Sequence, residues 1–240
     1  MKNNRAEYVD QILPEYNENP LIAALPKKID DAEVIEKLSN YPEYDENIRK
    51  EDAFIRIEYL SRLEYLVQPF QEYLTAFRSI ERTLKQSYSK RNPLSPTTAS
   101  YLHHTHYEKL PIQPSTGVFN PSGRSITITG ISGIGKSKML NRILDLYPQI
   151  IEHTEFKGCE LPVKQVVWLK IECSHDSTLG SICHSILASL SECTGEVYKP
   201  EKTIAKMQDQ IDHLLRSNFV GVLLIDEMQN LKLAKAVVAH

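Results

Sequence analysis

The sequence predicts an α/β fold, a parallel sheet with flanking helices, set behind a helical N-terminal region. Three observations predict it. Strand-like and helix-like segments alternate from residue 125 onward, the pattern of βαβ units. A β-branched run, Ile126-Thr127-Ile128-Thr129, enters a glycine-rich bend that feeds a helical stretch. A second aliphatic run, Val222-Leu223-Leu224-Ile225, ends on Asp226-Glu227. Continuous apolar runs are what a parallel sheet covered on both faces requires.

Residues 1–91 read as the helical region. Pro14, Asn19-Pro20 and Pro26 break up an extended entry segment around Leu21, Ile22 and Leu25. Asp30-Asp31 offers an N-cap for a short helix over 32–38, and Tyr41-Pro42 ends it. A longer helix is expected from near Ile48. Its apolar stripe, Phe54, Ile57, Leu60, Leu63 and Leu66, is assigned to the core. Pro69 suits the first turn of the next helix, whose stripe is Phe70, Tyr73, Leu74, Phe77, Ile80 and Leu84. The far end of that helix is basic, with Arg78, Arg82, Lys85, Lys90 and Arg91, and reads as a solvated face.

Residues 92–121 are rich in proline and form the expected linker and domain boundary. Their His103, His104 and His106 have no carboxylate or thiol beside them and read as solvated loop rather than a metal site. Residues 122–240 form the alternating domain. Strands are expected over 125–129, 166–172 and 220–225, and helices over 136–146, 178–190 and 203–215. Asp176 or Ser177 is expected to cap the helix that begins at 178.

Composition narrows the function classes. Hydrophobic residues are 41%, charged residues 25% and the net charge is −3, so no global field announces a nucleic-acid binder. No apolar run reaches the length of a membrane span, and residues 1–10 carry neither a signal nor a transit pattern. A cytoplasmic setting is expected. Cys159, Cys173, Cys183 and Cys193 make no C-x-x-C pair and read as small buried thiols.

The chemistry lies in two places. Gly130-Ile131-Ser132-Gly133-Ile134-Gly135-Lys136-Ser137 satisfies G-x-x-x-x-G-K-[ST], the P-loop pattern. Backbone N–H groups must turn inward around a polyphosphate, and glycines take the dihedrals this needs. The helix that follows adds its positive end. Residues 130–138 are therefore the candidate nucleotide-binding set, with Lys136 for the β- and γ-phosphates and Ser137 for Mg²⁺. Asp226, at the carboxyl end of an apolar strand, is the second candidate Mg²⁺ residue. Glu227 directly after it is the candidate catalytic carboxylate, placed to polarise a water toward the γ-phosphate. ATP and Mg²⁺ are the expected cofactors.

The sequence resembles the TnsC/TniB-type AAA+ ATPases that serve DNA transposons as target-site regulators. The likeness extends past the generic P-loop to Glu172-Cys173-Ser174-His175-Asp176-Ser177-Thr178-Leu179-Gly180-Ser181-Ile182-Cys183, to the acidic motif Leu224-Ile225-Asp226-Glu227-Met228-Gln229-Asn230-Leu231, to Asn19-Pro20-Leu21-Ile22 with Leu25-Pro26, and to Arg91-Asn92-Pro93. The resemblance implies an ATP-dependent homo-oligomer on DNA. It also implies a transposase and a target-selecting subunit as partners, in a bacterial cytoplasm. Onto this chain it carries Lys136 and Ser137 for phosphate and Mg²⁺, and Asp226 and Glu227 for Mg²⁺ and water. The family continues past its acidic motif with further strands, a sensor residue, an arginine finger and a lid. This sequence ends at His240, so an incomplete, C-terminally truncated AAA+ sheet is expected. Two other readings share the motifs: another P-loop ATPase, such as a helicase loader or signalling switch, and a non-hydrolysing fragment that caps an assembly.

Overall fold

The computed structural model describes residues 3–98 and 124–232. Most of the expected linker, its three histidines and the tail beyond Lys232 lie outside the described residues. In chain order the main elements are β1 (Asn3–Arg5), α1 (Pro20–Ala23), α2 (Asp31–Leu38), α3 (Ala53–Leu60), α4 (Gln71–Ser89), α5 (Lys136–Leu144), β2 (Ile150–Phe156), β3 (Cys159–Val166), β4 (Trp168–Glu172), α6 (Leu179–Thr194), α7 (Ile204–Ser217) and β5 (Val222–Asp226). The chain is a mixed α/β protein that divides into two compact units. One holds residues 1–27, 80–127 and 147–240, and the other residues 28–79 and 128–146.

The first unit carries the strands. β4 and β5 pair in parallel, with Glu172 opposite Asp226. α6 packs on β4 and against α7. Leu169 and Ile171 of β4 meet Ile182, Ile186, Leu187 and Leu190 of α6 and Met207 and Ile211 of α7 in one buried cluster. Each such aliphatic, fully buried, stabilises by about 1.5–3 kcal/mol. The Thr178 side chain caps α6 through the N–H of Ser181, and Ser181 reciprocates. Asp176, one of the two expected caps, instead lies at φ 64° and pairs with Lys232 at 2.8 Å. Ser177, the other, hydrogen-bonds the Ser174 carbonyl.

A second sheet runs β1-β2-β3, β1 parallel and β3 antiparallel to β2. Lys157 and Gly158 form its hairpin turn at φ 50° and 80°, the left-handed pair that matches strand twist. Residues 14–26 correct the extended reading of the entry segment. The Asn19 side chain accepts the Leu21 N–H and Pro20 sets the first turn, so a helix forms and all four residues of α1 are buried. A buried relay ties these parts together. Tyr8 and Gln165 flank His153 at 2.9 Å each, and Gln165 donates onward to the Leu21 carbonyl. Because that amide N–H is spent on Leu21, its oxygen must accept from His153 Nε2, and Tyr8 donates to Nδ1.

The basic end of α4 is only in part the solvated face its composition suggests: Arg82 and Lys90 are exposed, whereas Arg91 just beyond it is not. Arg91 is buried, its guanidinium 5.0 Å from the Tyr88 ring centre, donating to the carbonyls of Ser87 and Val220. Tyr88 is fully buried and donates to Phe219 O, and burial pushes its phenol up to about 12. Three of the four cysteines are buried as expected, while Cys159 is exposed.

In the second unit Asp30 caps α2 through the Glu33 N–H at 2.8 Å. Arg142 of α5 donates to the carbonyls of Lys37, Leu38 and Ser39 at the other end of α2. Met139, Leu140, Ile143 and Leu144 of α5 are buried. The long helix expected from Ile48 is instead two 3₁₀ turns, Glu46–Lys50 and Ser61–Tyr65, on either side of α3. Its apolar stripe is not core: Phe54, Ile57, Leu60 and Leu63 are 82, 67, 60 and 59% exposed. The spacing explains this. A strict three-residue repeat drifts about 60° per step around an α-helix and stays on one face only of a 3₁₀ turn.

Residues 125–129 also depart from expectation, since no strand forms there. A strand exists through its ladder, and these residues pair with none of the described strands.

Candidate nucleotide site

The glycine-rich loop and α5 lie in the second unit. Gly133 and Gly135 sit at φ 80° and 90°, where a side chain would strain the backbone. Gly135 is the N-cap of α5, so the first free N–H groups of the helix follow directly on the loop. Lys136 folds back over the loop and donates to the carbonyls of Gly130 and Ile131 at 2.9 and 3.0 Å. Ile131, Ser132, Gly133 and Ile134 are exposed, and Ser137 is half-buried at the second position of the helix. Lys138 turns elsewhere: its ammonium donates to the carbonyls of Glu64 and Leu66.

The acidic element lies in the first unit, at the carboxyl end of β5. Asp226 is mostly buried, accepts the Glu227 N–H at 3.0 Å, and pairs with Lys170 at 3.2 Å. The register explains the pair. Lys170 and Glu172 lie two residues apart on β4, with Glu172 opposite Asp226, so all three fall on one face of the sheet. The Asp226 charge, after burial itself, pushes the Cys173 thiol up. Glu227 occupies a left-handed conformation, φ 55° and ψ 36°, which is costly for a non-glycine residue and recurs at functional sites. Its carboxylate accepts from Gln229. Asn230 donates to the Cys173 carbonyl and the Leu231 backbone bridges to Ser177, so the segment after β5 is tied to the segment after β4.

Taken singly, the Ser137 hydroxyl of the second unit and the Asp226 carboxylate of the first are each oxygen donors of a kind that Mg²⁺ takes. Among the described residues no three His, Cys, Asp or Glu side chains form a cage by themselves. Sequence reasoning named the loop, Asp226 and Glu227 as candidates. It missed Lys170 and Gln229, whose signal appears only once β4 and β5 are paired in register and the turn after β5 is known.

No helix among the described residues is long and apolar enough to cross a membrane. No curated protein matches the chain. A family model described as an AAA domain matches residues 121–239. That span contains the glycine loop, its helix and the acidic strand end, and it places the chain in the P-loop NTPase/AAA superfamily.

Proposed function

We propose that this chain is an ATP-binding AAA+ regulator of DNA transposition, acting in target-site selection and transposase recruitment in the bacterial cytoplasm. The observation that carries the nucleotide part is the glycine-loop cradle, two left-handed glycines and a helix N-terminus with Lys136 lying over it. Lys136 exchanges its carbonyl partners for phosphate oxygens, and the loop N–H groups neutralise the rest of the polyphosphate. Ser137 and Asp226 are the residues that would hold Mg²⁺, which would supply neutralisation of the charge developing on the transferred phosphoryl group. Glu227 orients the attacking water.

The transposition reading is supported by the three family-like segments outside the generic motifs. Two of them, around Asn19 and Arg91, supply the capping asparagine of α1 and the buried guanidinium on Val220. Its partners are a transposase, a target-selecting subunit and DNA held without sequence preference by an oligomer of this chain.

The test is equilibrium binding of a fluorescent ATP analogue with Mg²⁺, followed by DNA co-sedimentation at low salt. Lys136→Ala should weaken nucleotide binding by about tenfold or more, a loss of roughly 1.4 kcal/mol. Unchanged binding in that variant would refute the loop as the site. Nucleotide binding without any DNA association at low salt would leave the AAA assignment standing and remove the transposition role.

A further inference from the structure

We infer that the face built by residues 41–66 is a docking site for an acidic amphipathic helix of a partner protein. A pocket of about 570 Å³ opens there, floored by Ile48, Leu60, Leu63 and Leu66 and edged by tyrosines. Isolated exposed leucines need no explanation, but a contiguous apolar surface with a polar rim does.

The charges select the occupant. Arg49, Arg56 and Arg62 line the pocket, against a single lining carboxylate, Glu43. The segment's other six carboxylates, Asp45, Glu46, Glu51, Asp52, Glu58 and Glu64, lie outside the lining. Two of the arginines are pre-positioned. Arg49 sits 5.7 Å from the Tyr44 ring centre and donates to its hydroxyl at 2.6 Å. Arg62 sits 4.5 Å from the Tyr59 ring centre and donates to the Glu43 carbonyl at 3.1 Å. A guanidinium held on an aromatic ring loses less freedom when it meets a carboxylate. An apolar floor with a basic rim fits a helix that presents one apolar stripe flanked by Asp and Glu.

Two other occupants fit less well. A second copy of this face would set the same arginines against each other across a two-fold axis. A nucleic-acid backbone has no apolar stripe to set against the floor of Ile48, Leu60, Leu63 and Leu66.

The experiment uses the full chain and fluorescence anisotropy with two labelled peptides of about 18 residues, long enough for five helical turns. Both carry leucines at i, i+3, i+4 and i+7; one is flanked by Glu and its twin by Lys. The Glu peptide should bind about tenfold tighter than the Lys twin, as three arginines on a partly desolvated rim allow. Leu63→Asp should abolish binding. The pair Arg49→Glu and Arg62→Glu should reverse the preference toward the Lys twin, which a merely structural role would not do. All these positions are at the surface, and unchanged far-UV circular dichroism and melting confirm the fold. Equal binding of the twins, no binding of either, or a preference unmoved by the charge reversal would overturn the inference. So would tighter binding of an oligo-dT strand through the same arginines, or self-association that Leu63→Asp abolishes.

Discussion

Gly221 sits where the chain leaves α7 and enters β5, and it admits no side chain. A Cβ there would stand 2.3 Å from Leu84 Cδ1, 2.5 Å from the Tyr88 hydroxyl and 2.6 Å from the Val167 carbonyl oxygen. Only the leucine tip can move cheaply. The Val167 oxygen is backbone and accepts the Val222 N–H at 3.1 Å, and the Tyr88 hydroxyl is committed to Phe219 O at 3.0 Å. Gly221→Ala must therefore overpack the site, at about 1–3 kcal/mol. Displacing the Tyr88 hydroxyl adds about 1 kcal/mol. The sum, roughly 2–4 kcal/mol, is a large share of the ~5–15 kcal/mol that holds a typical domain. Urea unfolding followed by far-UV circular dichroism, without nucleotide, measures it. In a Leu84→Ala background the same substitution should cost about 1 kcal/mol less, because one of three clashes is gone. A Gly221→Ala protein within about 0.5 kcal/mol of wild type, the range of an innocuous surface change, would refute the reasoning.

Thr178→Ala should cost about 1 kcal/mol by removing the α6 cap, read in the same unfolding assay. Arg91→Lys should cost about 1–3 kcal/mol, since an ammonium cannot reach Ser87 and Val220 together and leaves a buried acceptor unpaired. Burial lowers the affinity of His153 and of His213 for a proton below the ordinary value of 6.5. Both are neutral in the folded chain at neutral pH while the unfolded chain protonates first, so stability is fully present above pH 6.5. It should fall as pH drops from 6.5 through the lowered folded values; His153→Gln should flatten part of that slope in a pH series of urea midpoints. Lys170→Met frees the Asp226 carboxylate from its ammonium. The Mg²⁺ concentration that supports half-maximal nucleotide binding should drop by about threefold or more. A midpoint that stays or rises would show that the pair does not compete with the ion.

Parts of the chain were legible because their signals are local. Asp30 caps its helix where the sequence places a cap, and the apolar run before Asp226 is a strand in parallel pairing. What the sequence hid depends on partners distant in the chain. Arg91 looks like surface charge until Val220, 129 residues away, supplies its acceptor. The residues before the glycine loop have β-branched propensity, yet propensity forms no ladder by itself. The β2–β3 hairpin escaped notice because its turn is Lys-Gly rather than the commoner Asn-Gly. The stripe from Phe54 to Leu66 misled because its period is three, a spacing that amphipathic α-helices do not keep. At the candidate site, motif chemistry singled out the glycine loop and the acidic pair, whereas Lys170 became visible only through strand register.

The joinery around Arg91, Asn19 and β1 means that homology and folding draw different borders. A fragment excised at residue 121 would keep every nucleotide-facing motif. It would strip β2 of its parallel neighbour and Gln165 of the Leu21 carbonyl, and Val220 would lose its guanidinium. The first 27 residues and the close of α4 thus behave as cladding for the ATPase sheet rather than as a detachable accessory. A protease nick near residue 121 should leave the two pieces associated until they are denatured.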